Sequence, residues 1–244
     1  MSQDARGTHS PLETPHQLTA DDLAAAQVAF DLASTLVREE PTGELLALLA
    51  QDGMLAEAPF GQDNPNVERG LVLMRSWLAD AHARKGDDGL AELRREWLRL
   101  IAGLGTPEVP SWESYYTASD HRLFSERTVE VRELYARHGL QAQHPGSEPD
   151  DHLGLLLQFL AHLAKEESEA ASSEDVALAR GDARLTLERH VLPWLPAWYE
   201  AMMRHAGTDY YKGVANLTFG LVQSFALGYG IGYYRSTNDF HAIA

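Results

Sequence analysis

The sequence predicts an all-α fold, a single-domain helical bundle of about eight to eleven helices. Three observations carry that prediction. Apolar residues recur at helical spacing along most of the chain. Alternating β-branched runs are almost absent, and no Asn-Gly or Asp-Gly turn stands between two such runs. The 244 residues, 44% hydrophobic and 23% charged, have the make-up of a globular protein able to bury one sizeable core.

Taken in order, Met1 to Pro15 is polar and lacks both a basic start and an apolar core. Residues 1–17 are expected to be a disordered tail rather than a secretory signal, leaving 18–244 as the helical domain. The first helix runs from Leu18 to about Glu40, with Leu23, Phe30 and Val37 at seven-residue spacing and Pro41 as its stop. Thr42 caps a short helix from Glu44 to Gln51. Asp52 to Asn66, rich in Pro, Gly and Asn, reads as a loop. A helix from about Val67 to Arg84 follows, with Leu71, Met74 and Leu78 on one face and Trp77 at its edge.

Asp87 and Asp88 start the next helix, whose stripe of Leu90, Leu93, Trp97, Ile101 and Leu104 ends at Gly103 and Gly105. A stiff loop, Thr106 to Ser111, leads into the aromatics Trp112, Tyr115 and Tyr116, which serve either as core plugs or as the wall of a peptide groove. Another helix spans Ser125 to His138, closed by Gly139. The most marked start comes next: Ser147 or Glu148 as cap, Pro149 in the first helical position, and Asp150 and Asp151 on the positive end of the dipole. His152, Leu155, Leu156, Phe159 and Leu163 then share one face. A bend is expected from Lys165 to Ser173, then a helix running toward Pro193 and Pro196, which kink or restart it. Gly213 to Tyr234 carries no charge, yet its five glycines and its Asn, Thr, Gln and Ser residues favour a buried last helix over a membrane span.

The formal charge of −16 disfavours nucleic acid and favours basic partners. The absence of cysteine removes disulfides, thiolate catalysis and Cys-based metal sites, and fits the cytoplasm. No phosphate-binding Gly-rich loop, Gly-x-Ser-x-Gly elbow or His-Glu-x-x-His helix is present, and Gly228 to Gly232 has the wrong spacing for a dinucleotide loop. No metal or cofactor is expected. His152 and His162 lie ~15 Å apart along a helix, and a cross-helix site of His152, His190 and His205 is disfavoured. The pair Asp151 and His152 can serve proton transfer, but no nucleophile or substrate clamp accompanies it.

Three segments carry a resemblance: Trp97 to Gly103, Pro110 to Tyr116, and above all Glu148 to Gly154. In these the chain resembles the TorD/DmsD/NarJ family of redox-enzyme maturation chaperones, with helix order similar from Leu18 to Tyr210. The resemblance implies a cytoplasmic, cofactor-free, non-enzymatic chaperone for molybdenum-cofactor oxidoreductases. Its partner would be the precursor of the catalytic subunit, bound at its twin-arginine signal peptide or amino-terminal region and held for cofactor insertion. By position, Pro149, Asp151 and His152 match the family's peptide-binding motif, and Pro110, Trp112 and Tyr115 match its aromatic loop. Asp151 would accept an arginine and His152 orient it, while Trp112, Tyr115 and Phe159 cover the apolar stretch. Two departures stand out: Ile101 where the family often has Phe, and the stretch near Leu156 and Gln158, in which many members carry glutamates.

The rival readings are an all-α enzyme using Asp151 and His152, and a structural subunit of an oxidoreductase. A monomer and a homodimer exchanging elements through a long loop are both allowed.

Overall fold

The computed structural model describes residues 17–83, 88–103, 106–121, 123–142 and 149–243. Among them are ten α-helices and one small hairpin, so the all-α expectation holds. The expected tail, apart from Gln17, and the expected signals at Asp87, Leu104, Gly105, Ser147 and Glu148 lie outside the described residues.

Local capping fixes most helix starts. Helix α1 (Ala20–Arg38) opens on a capping box in which Thr19 and Asp22 satisfy one another's backbone amides. Helix α2 (Gly43–Leu49) is capped by Thr42, whose hydroxyl accepts from Leu45 N. Helix α3 (Pro65–Ala83) begins on a proline, and α4 (Asp88–Trp97) passes into a π-helical turn, Leu98–Ala102. Helix α5 (Glu113–Thr117) is short, and α6 (Glu126–Arg137) is capped by Ser125. Helix α7 (Leu153–Glu169) and α8 (Ser173–Leu185) follow, then a π-helical turn, Thr186–Val191. Pro196 restarts the chain as α9 (Leu195–His205), and Thr208 caps α10 (Asp209–Gly228).

Two helix pairs form the frame: α1 lies along α7, and α3 lies along α10. Helix α10 is buried on nearly every side, with Val214, Ala215, Phe219, Val222 and Phe225 in the core. That is why its sequence carries no charge after Lys212. Its glycines permit backbone contact with α3. A Cβ on Gly213 would stand 2.5 Å from Met74 Cγ, and one on Gly70 would stand 2.6 Å from Leu217 N. No described helix is long and apolar enough to cross a membrane.

Two expectations need correction. The bend expected from Lys165 to Ser173 is confined to residues 170–172, because α7 continues to Glu169. Its last turns are held by the buried Glu167, which accepts from Arg180 at 2.8 Å and from the Tyr229 hydroxyl at 2.7 Å. The last helix also stops early. After Gly228 the chain turns at Gly230 (φ 75°) into an antiparallel hairpin of β1 (Ile231–Tyr234) and β2 (Asp239–Ala242). Tyr233 pairs across it with Phe240, and both rings pack on Phe219. Strands of four residues are too short to display a period, and the turn uses Asn238 at positive φ in place of an Asn-Gly pair.

Candidate functional site

The start of α7 is set by tertiary backbone pairing. Residues 111–113 run antiparallel to 151–153: Leu153 N donates to Ser111 O at 2.7 Å, Glu113 N donates to Asp151 O at 3.1 Å, and Trp112 pairs with His152. This extended bridge takes Asp150, Asp151 and His152 out of the helix. The start expected at Pro149 is therefore displaced to Leu153, with His152 as its cap. Two loops far apart in sequence are thereby locked together.

Asp151 is fully buried, and its Oδ2 accepts from Ser114 N at 2.7 Å, capping α5. Burial pushes its carboxyl above the usual range, with the neighbouring Ser114 and Thr128 pulling it back. His152 is 3% exposed, and its Nδ1 accepts from Gly154 N at 3.0 Å. An accepting Nδ1 requires a neutral ring with its proton on Nε2. Burial first, and the Arg38 charge second, lower its pKa to about 3. Behind it α1 presses closely: Ser34 Oγ donates to Gly154 O at 2.7 Å, and a Cβ on Gly154 would meet Arg38 Cβ at 2.8 Å.

Several partners had no local signal in the sequence. Asp150 is buried and accepts from Arg132 Nε at 2.8 Å, while its carbonyl accepts from the Tyr135 hydroxyl. Glu113 is fully buried 2.9 Å from His190 Nδ1. Burial raises Glu113, with His190 and Arg127 opposing the rise. Trp198 Nε1 donates to Ser111 Oγ, and Tyr116 stacks on Trp194. The Glu113–His190 and Ser111–Trp198 contacts join positions 77 and 87 residues apart, so only the fold brings them together.

Of the residues singled out from sequence, Pro110, Pro149, Asp151 and His152 are buried in this knot. Trp112 lies over His152 edge-on at 5.2 Å and is half-buried. Tyr115, also half-buried, stacks on the exposed His121 at 4.6 Å. Phe159 is elsewhere. It packs on Tyr135 and His138 and lines a cleft of about 320 Å³ with Gln27 and Asp31 of α1 and with Leu155 and Gln158 of α7. The carboxylate of Asp151, expected to accept an arginine directly, is closed to solvent, with Oδ2 held by Ser114 N and Oδ1 without a hydrogen-bond partner among the described residues. As an acid–base pair the two residues diverge too, Asp151 toward Ser114 and His152 toward Gly154.

The segment leaving the knot is strained. His121 (φ 53°) and Phe124 (φ 61°) both adopt left-handed backbone, rare for an aromatic side chain, and Phe124 is half exposed. Tyr115, His121 and Phe124 give the α5–α6 connection an exposed aromatic character held on a buried base.

A family profile described as nitrate reductase delta subunit matches residues 61–200. The chaperone protein TorD of Vibrio cholerae O395 is 29% identical over 137 residues, 56% of this chain and 61% of that protein. The Tat proofreading chaperone DmsD of Salmonella typhi is 27% identical over 125 residues, 51% of this chain and 56% of that one. TorD of Psychrobacter sp. PRwf-1 is 26% identical over 215 residues, 87% of this chain and 94% of its own length. The first two alignments span about three fifths of the relatives' length.

Proposed function

The chain belongs to the nitrate reductase delta subunit family, and from that premise we propose that it is a chaperone for the maturation of a molybdenum-cofactor oxidoreductase. In this reading it acts in the cytoplasm. It binds the precursor of the catalytic subunit at its amino-terminal region or twin-arginine signal peptide and keeps it from export or assembly until cofactor is inserted. The relatives named as chaperones support a binding rather than a catalytic role.

The observation that carries the proposal is the strained aromatic α5–α6 segment anchored on the buried Asp151–His152 knot. A twin-arginine peptide joins two guanidinium groups to an apolar stretch. Half-buried Trp112 and Tyr115 and exposed Phe124 offer aromatic faces that suit both. The charge of −16 draws such a peptide in from a distance. Asp151 and His152 act here as positioning residues, holding Trp112 and the start of α5 in place, rather than as groups that touch the peptide. Phe159 contributes through its separate cleft, whose apolar floor and Asp31 rim suit a downstream part of the same segment.

The test is titration of the full chain with a synthetic twin-arginine signal peptide of a molybdoenzyme, followed by retrieval of partners from a cytoplasmic extract and mass spectrometry. Trp112→Ala and Tyr115→Ala should each weaken peptide binding by about tenfold, as loss of an aromatic anchor does, without unfolding the chain. Affinity should fall as salt rises. Unchanged affinity in both these variants and in Asp151→Ala and His152→Ala would reject this surface as the binding site.

A further inference from the structure

At the far end of α7, away from the knot, two histidines and two carboxylates converge from three helices. His138 Nδ1 lies 2.5 Å from Glu166 Oε2, and His162 Nε2 lies 3.0 Å from Glu166 Oε1. The ligand atoms of His138, His162 and Glu166 all lie within 4.8 Å of one another. On its other side His138 Nε2 lies 2.9 Å from Asp182 Oδ2, and Arg137 holds Asp182 Oδ1 at 2.8 Å.

The protons do not balance in this arrangement with neutral rings. A neutral His138 carries one N–H, so it can satisfy Asp182 or Glu166 but not both. If the one proton of a neutral ring faces Asp182, the Nδ1 lone pair points at Glu166 Oε2 from 2.5 Å, a contact that either a second ring proton or a bound cation completes. The His138 side chain is 2% exposed, whereas its partner Glu166 is 38% exposed, so the contact is closed on one side only. A second imidazole nitrogen is aimed at the same carboxylate by His162, which sits one turn before Glu166 on α7.

We propose that His138 Nδ1, His162 Nε2 and Glu166 bind a divalent ion of the zinc class, with Asp182 holding the Nε2–H of His138. Two imidazoles and one carboxylate are a ligand set that zinc accepts, with a fourth position left to water. The carboxylate on the remote ring nitrogen fixes the tautomer and orientation of the metal-binding imidazole and raises its basicity. His138 and Asp182 are the rigid half of the site. His162 and Glu166 are 30% and 38% exposed, so they are the half of the site with room to draw back and admit an ion. The ion would clamp the end of α6 to α7 and α8, beside the cleft lined by Phe159 and His162.

The experiment uses the full chain, stripped with a chelator, dialysed, and titrated with Co²⁺ and then Zn²⁺. One equivalent of Co²⁺ should bind with the visible absorption of a four-coordinate site, and Zn²⁺ should displace it. Glu166→Gln and His162→Ala, both at half-exposed positions that fold tolerates, should each weaken Zn²⁺ binding more than tenfold. Asp182→Asn should weaken it by about 10–100-fold. His205→Ala, outside the cluster, should leave it unchanged. Absence of stoichiometric binding, or binding that survives Glu166→Gln and His162→Ala, would overturn the proposal.

Discussion

The two ends of α7 solve the same problem in opposite ways. At its first residues a histidine and a carboxylate, His152 and Asp151, are buried side by side yet ignore each other, each bound to backbone amides. Toward its other end His162 and Glu166 face one another, with His138 completing the group. Burial removes the charge from the first histidine and leaves it a hydrogen-bond acceptor. Partial exposure leaves the second pair, His162 and Glu166, open to solvent and able to take the proposed ion. A His-carboxylate neighbourhood in sequence is therefore no guide to its chemistry until its hydrogen-bond partners are known.

That contrast can be broken most sharply at Asp151. Replacing it by alanine removes a buried, charge-assisted cap from α5 and should cost about 2–3 kcal/mol in urea unfolding, with Tm falling to match. His162→Ala in metal-free protein serves as the counterpart, and equal losses at the two ends would erase the distinction drawn between them.

The next effect is on pH dependence. His152 stays neutral in the folded chain down to about pH 3, whereas in the unfolded chain it takes up a proton below its ordinary value. The unfolded state then binds more protons, so the His152 contribution to stability is present above about pH 6.5 and is lost as pH falls. Between about pH 6.5 and pH 5 it should remove about 2 kcal/mol. The raised carboxyls of Glu113 and Asp151 have the opposite sign, regaining protons in the folded state as the medium turns acid. His152→Asn keeps a capping oxygen without a titrating ring. Its unfolding midpoint should therefore fall less on acidification than that of the parent, and a parallel fall would contradict the neutral, accepting ring.

Close packing gives a somewhat smaller effect. Gly154→Ala places a Cβ against Arg38 and should destabilise by about 1–2 kcal/mol as α1 and α7 are forced apart. Gly181→Ala, where nothing lies within 4 Å, should be neutral or stabilising. Smallest of all is His162→Ala without metal, about 0.5 kcal/mol or less, because a half-exposed His–carboxylate contact one turn apart contributes little. Added Zn²⁺ should stabilise the parent and not this variant.

Much of the helical layout was legible in the chain because caps and periodicity act over one or two turns. Thr42 and Ser125 announce their helices, and Pro196 marks a restart. The aromatic loop and the Pro-Asp-Asp-His stretch were also legible as a pair of segments worth joining. Less visible was how they join. Glu113, Ser111 and His190 gave no sign of their partners, because the contacts join positions 77 and 87 residues apart. The ion-pair cluster of His138, His162, Glu166 and Asp182 was hidden for the same reason, with only His162 and Glu166 related by helical spacing.

By itself the sequence determined a helical chain, its punctuation, its acidic charge and the absence of thiol chemistry, since each of these follows from residue type and near neighbours. The tertiary structure decided where α7 begins. Pro149, Asp150 and Asp151 have every local mark of a helix start, yet backbone pairing of residues 151–153 with 111–113 keeps them in a turn outside the helix. Satisfying buried amides and carbonyls across two loops outweighs the few tenths to one kcal/mol that a charged first turn supplies. It also decided the charge of His152, because a lowered pKa follows from being enclosed by Arg38, Gly154 and Trp112, which are neighbours in space and not all in sequence.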